Sequence, residues 1–241
     1  MSALVTLERA AIDGAVFDLD GVLASTARLH ERAWSETVGE ALAARGDDRP
    51  FGREDYLAHM DGRLRLDGAR AALLSRGIED EALAETVAER KNARFLALLE
   101  AEGAEALPGA AALLASLRAA GLRTGLFTAS RNARRVLASV GLAEGFDAWV
   151  DGEVAGREGL RGKPAPDTPL LCARLMGVDP ARCALFEDAV AGVEAGVAGG
   201  FRPVIGVAPP DEAHRLLGAG ARAVVPSLAA VALGRASEAT R

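Results

Sequence analysis

The stretch Ala15-Val16-Phe17-Asp18-Leu19-Asp20-Gly21 decides the fold of this chain. Its apolar half predicts a short buried strand, and its acids and glycine predict a loop at the end of that strand. Two carboxylates, Asp18 and Asp20, therefore follow the carboxyl end of a predicted strand. In open parallel sheets ligands bind at this edge, so both acids are candidate functional residues.

The residues that follow this stretch show two different patterns. Residues 26–104 have helical periodicity or a polar, glycine-rich composition, with no strand signal. After Pro108-Gly109, helical and strand patterns alternate, and the strands are rich in Val, Leu, Ile and Phe. The predicted strands in this part are Arg123–Thr128, Phe146–Val150, Cys183–Glu187, Pro203–Val207 and Ala223–Val225. Such alternation predicts a parallel sheet covered by helices on both faces.

The predicted fold class is therefore α/β, with a doubly wound, Rossmann-like parallel-sheet core and an inserted helical cap domain. Residues 1–25 and 105–241 would form the core, and residues 26–104 would form the cap. Within the cap we expect three helices joined in part by a polar connection. The helices are expected at Ala27 to about Arg45, Ala69–Ser75 and Asp80–Glu102, and the polar connection at Gly46 to Gly68.

Composition limits the function classes. The 241 residues are 50% hydrophobic and 26% charged, which is enough apolar material for a sizeable core and excludes a disordered chain. A net charge of −6 argues against nucleic acid or a membrane surface as partner. No apolar run approaches the ~18 residues of a membrane span, and Glu8 and Arg9 come too early for a signal-peptide core. Cys172 and Cys183 lie in apolar runs without metal-ligand spacing, which indicates a reducing compartment. We expect a cytoplasmic monomer.

Polar residues also follow the other predicted strands. Thr128 and Ser130 end the second strand, Glu187 and Asp188 follow the fourth, and Lys163 lies in a loop before a helix. Four acids at one edge cannot all ionise cheaply unless a cation lies among them, and oxygen ligands suit Mg²⁺. A carboxylate beside Mg²⁺ and a lysine can attack phosphorus, and a second acid two residues along can serve as general acid and base. Each residue alone is more often a solvated loop residue or helix cap, but the combination favours phosphoryl transfer.

Four motifs of the chain resemble those of the haloacid dehalogenase superfamily. They are Phe17-Asp18-Leu19-Asp20-Gly21-Val22-Leu23, Thr128-Ala129-Ser130, Gly162-Lys163-Pro164-Ala165-Pro166-Asp167 and Phe186-Glu187-Asp188-Ala189-x-Ala191-Gly192-Val193-x-Ala195-Gly196. Further features resemble the β-phosphoglucomutase branch of that superfamily. These are Gly21-Val22-Leu23, Thr26, Leu29-His30-x-Arg32-Ala33-Trp34, Arg90-Lys91-Asn92 and Ser130-Arg131-Asn132.

The resemblance implies a Mg²⁺-dependent enzyme that transfers a phosphoryl group of a sugar phosphate through an aspartyl phosphate. Asp18 would be the nucleophile and Asp20 the acid and base, while Thr128 and Lys163 would hold the transferring group. Mg²⁺ would be held by Asp18, the Asp20 carbonyl, Glu187 and Asp188. The substrate would be bound by Thr26, His30, Arg65, Lys91, Ala129, Ser130, Arg131 and Asn132. Among these, His30 would be a hinge-side partner of Asp20, and Arg65 would grip the non-transferring phosphate.

Three activities remain open at this point. The first is a β-phosphoglucomutase, which converts β-glucose 1-phosphate to glucose 6-phosphate through a bisphosphate, and the second is a sugar-phosphate phosphatase. The third, a non-catalytic phospho-acceptor switch, is disfavoured because Asp18 precedes the acid pair in the chain and a receiver domain has no cap. Two residues depart from the branch pattern: Ser25 replaces a third loop aspartate, and Asp61 replaces a cap lysine, for which Arg63 could substitute.

Overall fold

A computed structural model describes residues 5–234 of the chain. Six parallel strands form the main sheet, in the order β4-β3-β2-β5-β6-β7, and β1 and β8 form a separate parallel pair. The strands are β1 Val5–Leu7, β2 Gly14–Phe17, β3 Arg123–Phe127, β4 Ala148–Val150, β5 Cys183–Glu187, β6 Val204–Val207, β7 Ala223–Val225 and β8 Val231–Leu233. The predicted α/β parallel-sheet class is confirmed, although β1 and β8 were not predicted.

The central position of β2 explains why its sequence is so apolar. This strand pairs with β3 on one side and with β5 on the other, and all four of its residues are buried. Phe17 of β2 stacks on Phe186 of β5, with ring centroids 4.8 Å apart. Because both faces of the sheet are covered, the strand needs a continuous apolar run and not an alternating one.

Four α-helices lie within residues 26–104, and six lie in the rest of residues 5–234. The four are α1 Ala27–Ala43, α2 Arg53–His59, α3 Arg65–Leu74 and α4 Glu81–Glu102. The six are α5 Ala110–Ala119, α6 Ala133–Ser139, α7 Gly152–Arg157, α8 Asp167–Met176, α9 Val190–Ala198 and α10 Ala213–Gly218. Residues 26–104 contain no strand, as the sequence predicts.

The polar connection expected at residues 46–68 is wrong in part, because it contains α2 and the first turn of α3. Helix α2 begins with a capping interaction in which the Gly52 amide donates to the Asp55 carboxylate at 3.0 Å. Tyr56 and Met60, four residues apart, are buried on one face of this segment. The helix is too short for a periodic signal, so its stability comes from packing against α1 and α3.

Two chain crossings connect the helical insert to the sheet. At Ser25 the backbone amide donates to the Glu105 carbonyl at 2.9 Å, and the Glu105 amide donates to the Ser25 hydroxyl at 2.9 Å. Leu107 then donates to Leu23 at 2.9 Å. Ser25, one of the departures from the family pattern, thus ties the two crossings together. We propose these crossings as the boundaries between core and cap; residues 1–4 and 235–241 of the proposed core lie outside the described residues.

Candidate active site

The Asp18 carboxylate is buried directly after central strand β2, and each of its two oxygens accepts a hydrogen bond. Its Oδ1 accepts from Lys163 Nζ at 2.6 Å, and its Oδ2 accepts from the Asp20 amide at 2.9 Å. Thr128 follows the neighbouring strand β3, and its hydroxyl accepts from the Ser130 amide at 3.1 Å. Because β2 and β3 are parallel neighbours, their ends bring these residues to the same edge of the sheet.

Lys163 joins two of the acids. Its ammonium lies 2.6 Å from Asp18 Oδ1 and 2.8 Å from Glu187 Oε1, and 4.6 Å from the centre of the Phe127 ring. Burial lowers the pKa of Lys163, but the two carboxylates outweigh burial and raise this pKa above its usual value. The lysine therefore stays charged in a water-poor site.

Asp18, Glu187 and Asp188 each offer a carboxylate oxygen, and these oxygens lie within 4.8 Å of one another. Two glycines make the cluster possible. A Cβ at Gly21, where φ is +79°, would lie 1.8 Å from Asp188 Oδ2, and a Cβ at Gly192 would lie 1.5 Å from Glu187 Oε1. Both acids therefore occupy space that any larger residue would fill.

This acid cluster carries more negative charge than Lys163 can neutralise. Burial, together with the nearby Asp18, raises the pKa of Glu187 to about 8. Burial likewise raises the pKa of Asp18 to about 6, even though Lys163 opposes the shift. An all-oxygen donor set with surplus negative charge fits a hard divalent cation.

The Asp20 side chain makes its contacts on the cap side of the site. It accepts a hydrogen bond from the Thr26 hydroxyl, and its Oδ1 lies 3.3 Å from His30 Nε2. Burial would raise the pKa of Asp20, but His30 and Thr26 outweigh burial and hold the pKa at about 2. The carboxylate is therefore ionised and positioned by the beginning of the cap.

Lys91 is buried in the cap among aromatic rings, behind His30. Its Nζ lies 2.5 Å from His30 Nδ1, 5.0 Å from the centre of the Trp34 ring and 5.2 Å from that of Phe95. The His30 ring stacks on Phe95 at 4.0 Å. Burial and the nearby Arg65 lower the pKa of Lys91 to about 7. Cap packing thus determines the protonation of a group next to the reacting edge.

The cap covers this edge and leaves a narrow cavity, with about 60 Å³ of room for the centres of water molecules. A single water needs ~10–15 Å³ by that measure, so this part of the cavity has room for a few waters. Cap side chains lining the cavity are His30, Trp34, Tyr56, Met60, Asp61, Arg63, Arg65 and Lys91.

The family of this chain follows from its similarity to known proteins. Residues 12–200 match the model of the haloacid dehalogenase-like hydrolases. The chain belongs to this family. It is 41% identical to a β-phosphoglucomutase of Mycobacterium bovis, over 89% of each chain, and 35% identical to hexitol phosphatase A of Escherichia coli, over 84% of this chain and 86% of that one.

A solved structure extends the likeness to the fold. The crystal structure of a β-phosphoglucomutase from Clostridium difficile superimposes with a TM-score of 0.76 at 26% identity, covering 90% of this chain and 92% of that one. The resemblance stated from the four motifs is confirmed, and so is the expectation of an enzyme of the phosphotransferase or phosphatase type. No helix in residues 5–234 of this family member is long and apolar enough to cross a membrane.

Most of the predicted site residues of this hydrolase-family member come together at the cavity. Its wall includes three of the predicted substrate contacts from the cap and two from the core. The predicted residues that line it are Asp18, Asp20, His30, Arg65, Lys91, Thr128, Ala129, Ser130, Lys163, Glu187 and Asp188. Their roles remain predictions.

Three predicted substrate contacts lie outside the cavity wall. Thr26 is buried behind Asp20 and bonds to it. Arg131 is exposed, and the Asn132 side chain donates to Asn92 of α4 at 2.9 Å. Arg131 is close enough to Arg65 to lower the pKa of that residue, so a substrate held by Arg65 would lie near it.

Several cavity residues were not predicted as site residues. Tyr56 comes from α2 and Met60 directly follows it, both within the expected polar connection, and Trp34 comes from α1. The capping pair Gly52 and Asp55 was the available signal for α2, and helical spacing from it would have placed Tyr56 on the buried face.

Proposed function

We propose that this enzyme is a β-phosphoglucomutase that converts β-glucose 1-phosphate to glucose 6-phosphate through an aspartyl phosphate on Asp18. The proposal rests on the different contacts of two acids, one with the core and one with the cap. Asp18 is buried against Lys163 in the core, whereas Asp20 contacts His30 of the cap. The position of the proposed nucleophile is thus set by core residues, whereas the position of the proposed proton-transfer group is set by a cap residue.

In the first step, an oxygen of Asp18 would form a bond to phosphorus while the bond between phosphorus and the leaving oxygen breaks. The Lys163 ammonium and the Thr128 hydroxyl support this step, because both lie where they can balance charge on the transferring oxygens. When the leaving oxygen belongs to a sugar, Asp20 would give it the proton that this otherwise ionised carboxylate has taken from a sugar hydroxyl in the reverse transfer.

The second step is the reverse transfer. A sugar hydroxyl would lose its proton to Asp20 and take the phosphoryl group from Asp18, which regenerates the Asp18 carboxylate and leaves Asp20 protonated for the next proton donation. Transfer between two positions of one sugar requires the bisphosphate to rebind in the opposite sense. Arg63 and Arg65 support this, since both line the cavity and neither forms an ion pair within 4.0 Å in residues 5–234. They are available for the phosphate that does not react.

We further propose that the divalent cation is Mg²⁺, held by Asp18, Glu187, Asp188 and the Asp20 carbonyl. The oxygen-only donors and the raised pKa of Glu187 support a small, hard cation. When bound, Mg²⁺ would neutralise the cluster and the phosphoryl oxygens. We also propose that the chain acts as a monomer, because residues 5–234 of one chain supply every group named above.

A second candidate function is a sugar-phosphate phosphatase, favoured by the 35% identity to hexitol phosphatase A. The same Asp18 chemistry would then pass the phosphoryl group to water. A mutase has to keep water from the aspartyl phosphate until the sugar is bound, which requires a closed cap. The burial of Asp18 beneath cap side chains that line the same cavity supports the mutase.

Phosphorus-31 NMR separates the two functions. Purified protein is incubated with Mg²⁺, β-glucose 1-phosphate and a trace of glucose bisphosphate, and the spectrum is followed with time. The proposal expects glucose 6-phosphate as the main product, and inorganic phosphate alone would show a phosphatase. Neither signal changing would refute both functions for this substrate.

A further inference from the structure

Asp61 lines the cavity but has no part in the chemistry described above. We propose that Asp61, positioned by Tyr56, accepts a hydrogen bond from a hydroxyl group of the substrate and so selects polyhydroxylated phosphates over phosphorylated carboxylic acids. The inference rests on the proposed function, since it assigns part of the substrate specificity of the same site.

The backbone places Asp61 at the reacting centre. Its amide donates to the Tyr56 carbonyl at 3.1 Å at the end of α2, and Gly62 follows with φ of +72°. A Cβ at Gly62 would lie 3.0 Å from the Ala189 Cβ and 3.7 Å from the Lys163 Cδ. The turn therefore lies directly against the lysine that holds Asp18, because glycine permits both the close approach and the positive φ.

The Asp61 carboxylate has no cation of its own. In residues 5–234 no lysine, arginine or histidine nitrogen lies within 4.0 Å of it, and Arg215, the cation that influences it most, is paired with Glu212 at 3.2 Å. Burial, opposed by Arg215 and by hydrogen bonding to Tyr56, raises the pKa of Asp61 to about 6. A half-buried carboxylate without a cation is costly, so its placement in the cavity needs a reason beyond folding.

Tyr56 accounts for only part of the hydrogen-bonding capacity of this carboxylate. A carboxylate has about four acceptor sites, and the neighbouring Tyr56 hydroxyl can fill no more than one of them. The Tyr56 side chain is buried and lines the same cavity. We assign one of the remaining acceptor sites to a hydroxyl group of a substrate in this cavity.

The chemistry of Asp61 determines what that group is. A carboxylate beside three other acids attracts hydrogen-bond donors and repels anions, so a hydroxyl fits and a carboxylate or a second phosphate does not. Arg63 and Arg65, nearby on the cap, would attract the anionic part of the same molecule. The combination fits a sugar or polyol phosphate with a free hydroxyl close to the reacting phosphoryl group.

The test compares wild type with Asp61→Ala, Asp61→Asn and Tyr56→Phe. The substrates are β-glucose 1-phosphate, its monodeoxy analogues, phosphoglycolate and acetyl phosphate, all with Mg²⁺. Asp48→Ala, at an exposed cap position, is the control. We expect Asp61→Ala to lower kcat/KM for β-glucose 1-phosphate by about 10- to 100-fold, as for a hydrogen bond to a charged group, and to lower it for acetyl phosphate at least tenfold less.

Two further results are expected. One monodeoxy analogue should be a poor substrate of wild type and should lose no more activity on Asp61→Ala, because the partner hydroxyl is already missing. Phosphoglycolate should be turned over faster by Asp61→Asn than by wild type, because the repulsion is removed. Tyr56→Phe should lower kcat/KM for β-glucose 1-phosphate relative to acetyl phosphate in the same direction as Asp61→Ala, but by a smaller factor.

Three outcomes would overturn the inference. Equal losses on β-glucose 1-phosphate and acetyl phosphate would show damage to the core site. If Asp61→Ala lowered kcat/KM by the same factor for every monodeoxy analogue as for β-glucose 1-phosphate, Asp61 would contact none of the hydroxyls tested. Unchanged ratios in all variants would show that it selects nothing. A wild-type enzyme that turns over no sugar phosphate would overturn the proposed function as well, whereas turnover without an Asp61 effect overturns this inference alone.

Discussion

His30 Nε2, on the first cap helix α1, lies 3.3 Å from Oδ1 of Asp20 in the core. Nε2 is buried without a well-aligned hydrogen-bond partner in residues 5–234, whereas Nδ1 lies 2.5 Å from the Lys91 ammonium. Below its pKa of about 7, Lys91 is an ammonium that can only donate, so Nδ1 then accepts and the ring proton belongs on Nε2, facing Asp20. The closed cap therefore presents an N–H to the group proposed as general acid and base.

His30→Ala should reduce sugar-phosphate turnover by about 10²-fold, the lower range for loss of general acid–base catalysis, because Asp20 loses the contact that positions it. Hydrolysis of acetyl phosphate should fall much less, since its leaving group needs little protonation. Steady-state assays of both reactions check this. An equal loss in both would show that His30 supports the fold and not Asp20.

Arg65→Ala should lower mutase turnover by about 10²-fold or more. The variant would lose a charge-assisted contact to the non-reacting phosphate, and the cap would no longer hold the substrate in the correct position. Burial and the nearby Arg131 lower the pKa of Arg65 to about 10, which still leaves it charged at neutral pH. Transfer from acetyl phosphate to water should change far less, as that donor has no second phosphate. Arg90→Ala, exposed on α4, is the control, and a similar loss in both variants would contradict the assignment.

Asp18→Asn should abolish turnover and aspartyl-phosphate formation, because an amide is a poor nucleophile of almost the same shape. Acid-quenched incubation with a phosphorus-32 donor measures the covalent intermediate, and thermal unfolding reports the fold. Rates within about tenfold of wild type would refute Asp18 as the nucleophile.

Divalent metal should be required for activity and should stabilise the protein. Mg²⁺ that binds the folded state alone raises the unfolding temperature with concentration, and Asp188→Ala should remove most of this shift because it removes one of three clustered oxygens. A thermal shift titration measures the effect, with Asp211→Ala at an exposed position as the control. Full activity in excess EDTA would contradict the metal site.

Lys91 should make stability increase with pH between about 7 and the usual lysine range. Burial and Arg65 lower its pKa to about 7, so above this pH the unfolded chain binds a proton that the folded chain does not. Stability then rises by at most about 1.4 kcal/mol per pH unit, whereas below pH 7 the full penalty of the buried charge remains. Urea unfolding from pH 6 to 10 should show this rise in wild type and not in Lys91→Met. Parallel profiles would refute the buried-charge interpretation.

The sequence predicted the core well and the cap less well. The strands Cys183–Glu187 and Ala223–Val225 have the predicted bounds, because each is a dense apolar run between clear turn signals. The short strand Val5–Leu7 was missed, since three residues carry no period. Helix α2 was missed for a similar reason; the capping pair Gly52 and Asp55 is its local signal, whereas the burial of Tyr56 depends on packing within the cap.

By itself the sequence determined which chemistry the sheet edge could support. Parallel strands bring their carboxyl ends to one edge, so Asp18, Thr128 and Glu187 had to converge once the strands were recognised. Only the tertiary structure decided how the cap completes the site. It paired His30 with Asp20, buried Lys91 and, within residues 5–234, placed Asp61 beyond ion-pair distance of any cation, whereas Asn132 contacts Asn92 outside the cavity. These contacts join residues of separate elements, and their strength depends on burial and distance, which local periodicity does not contain.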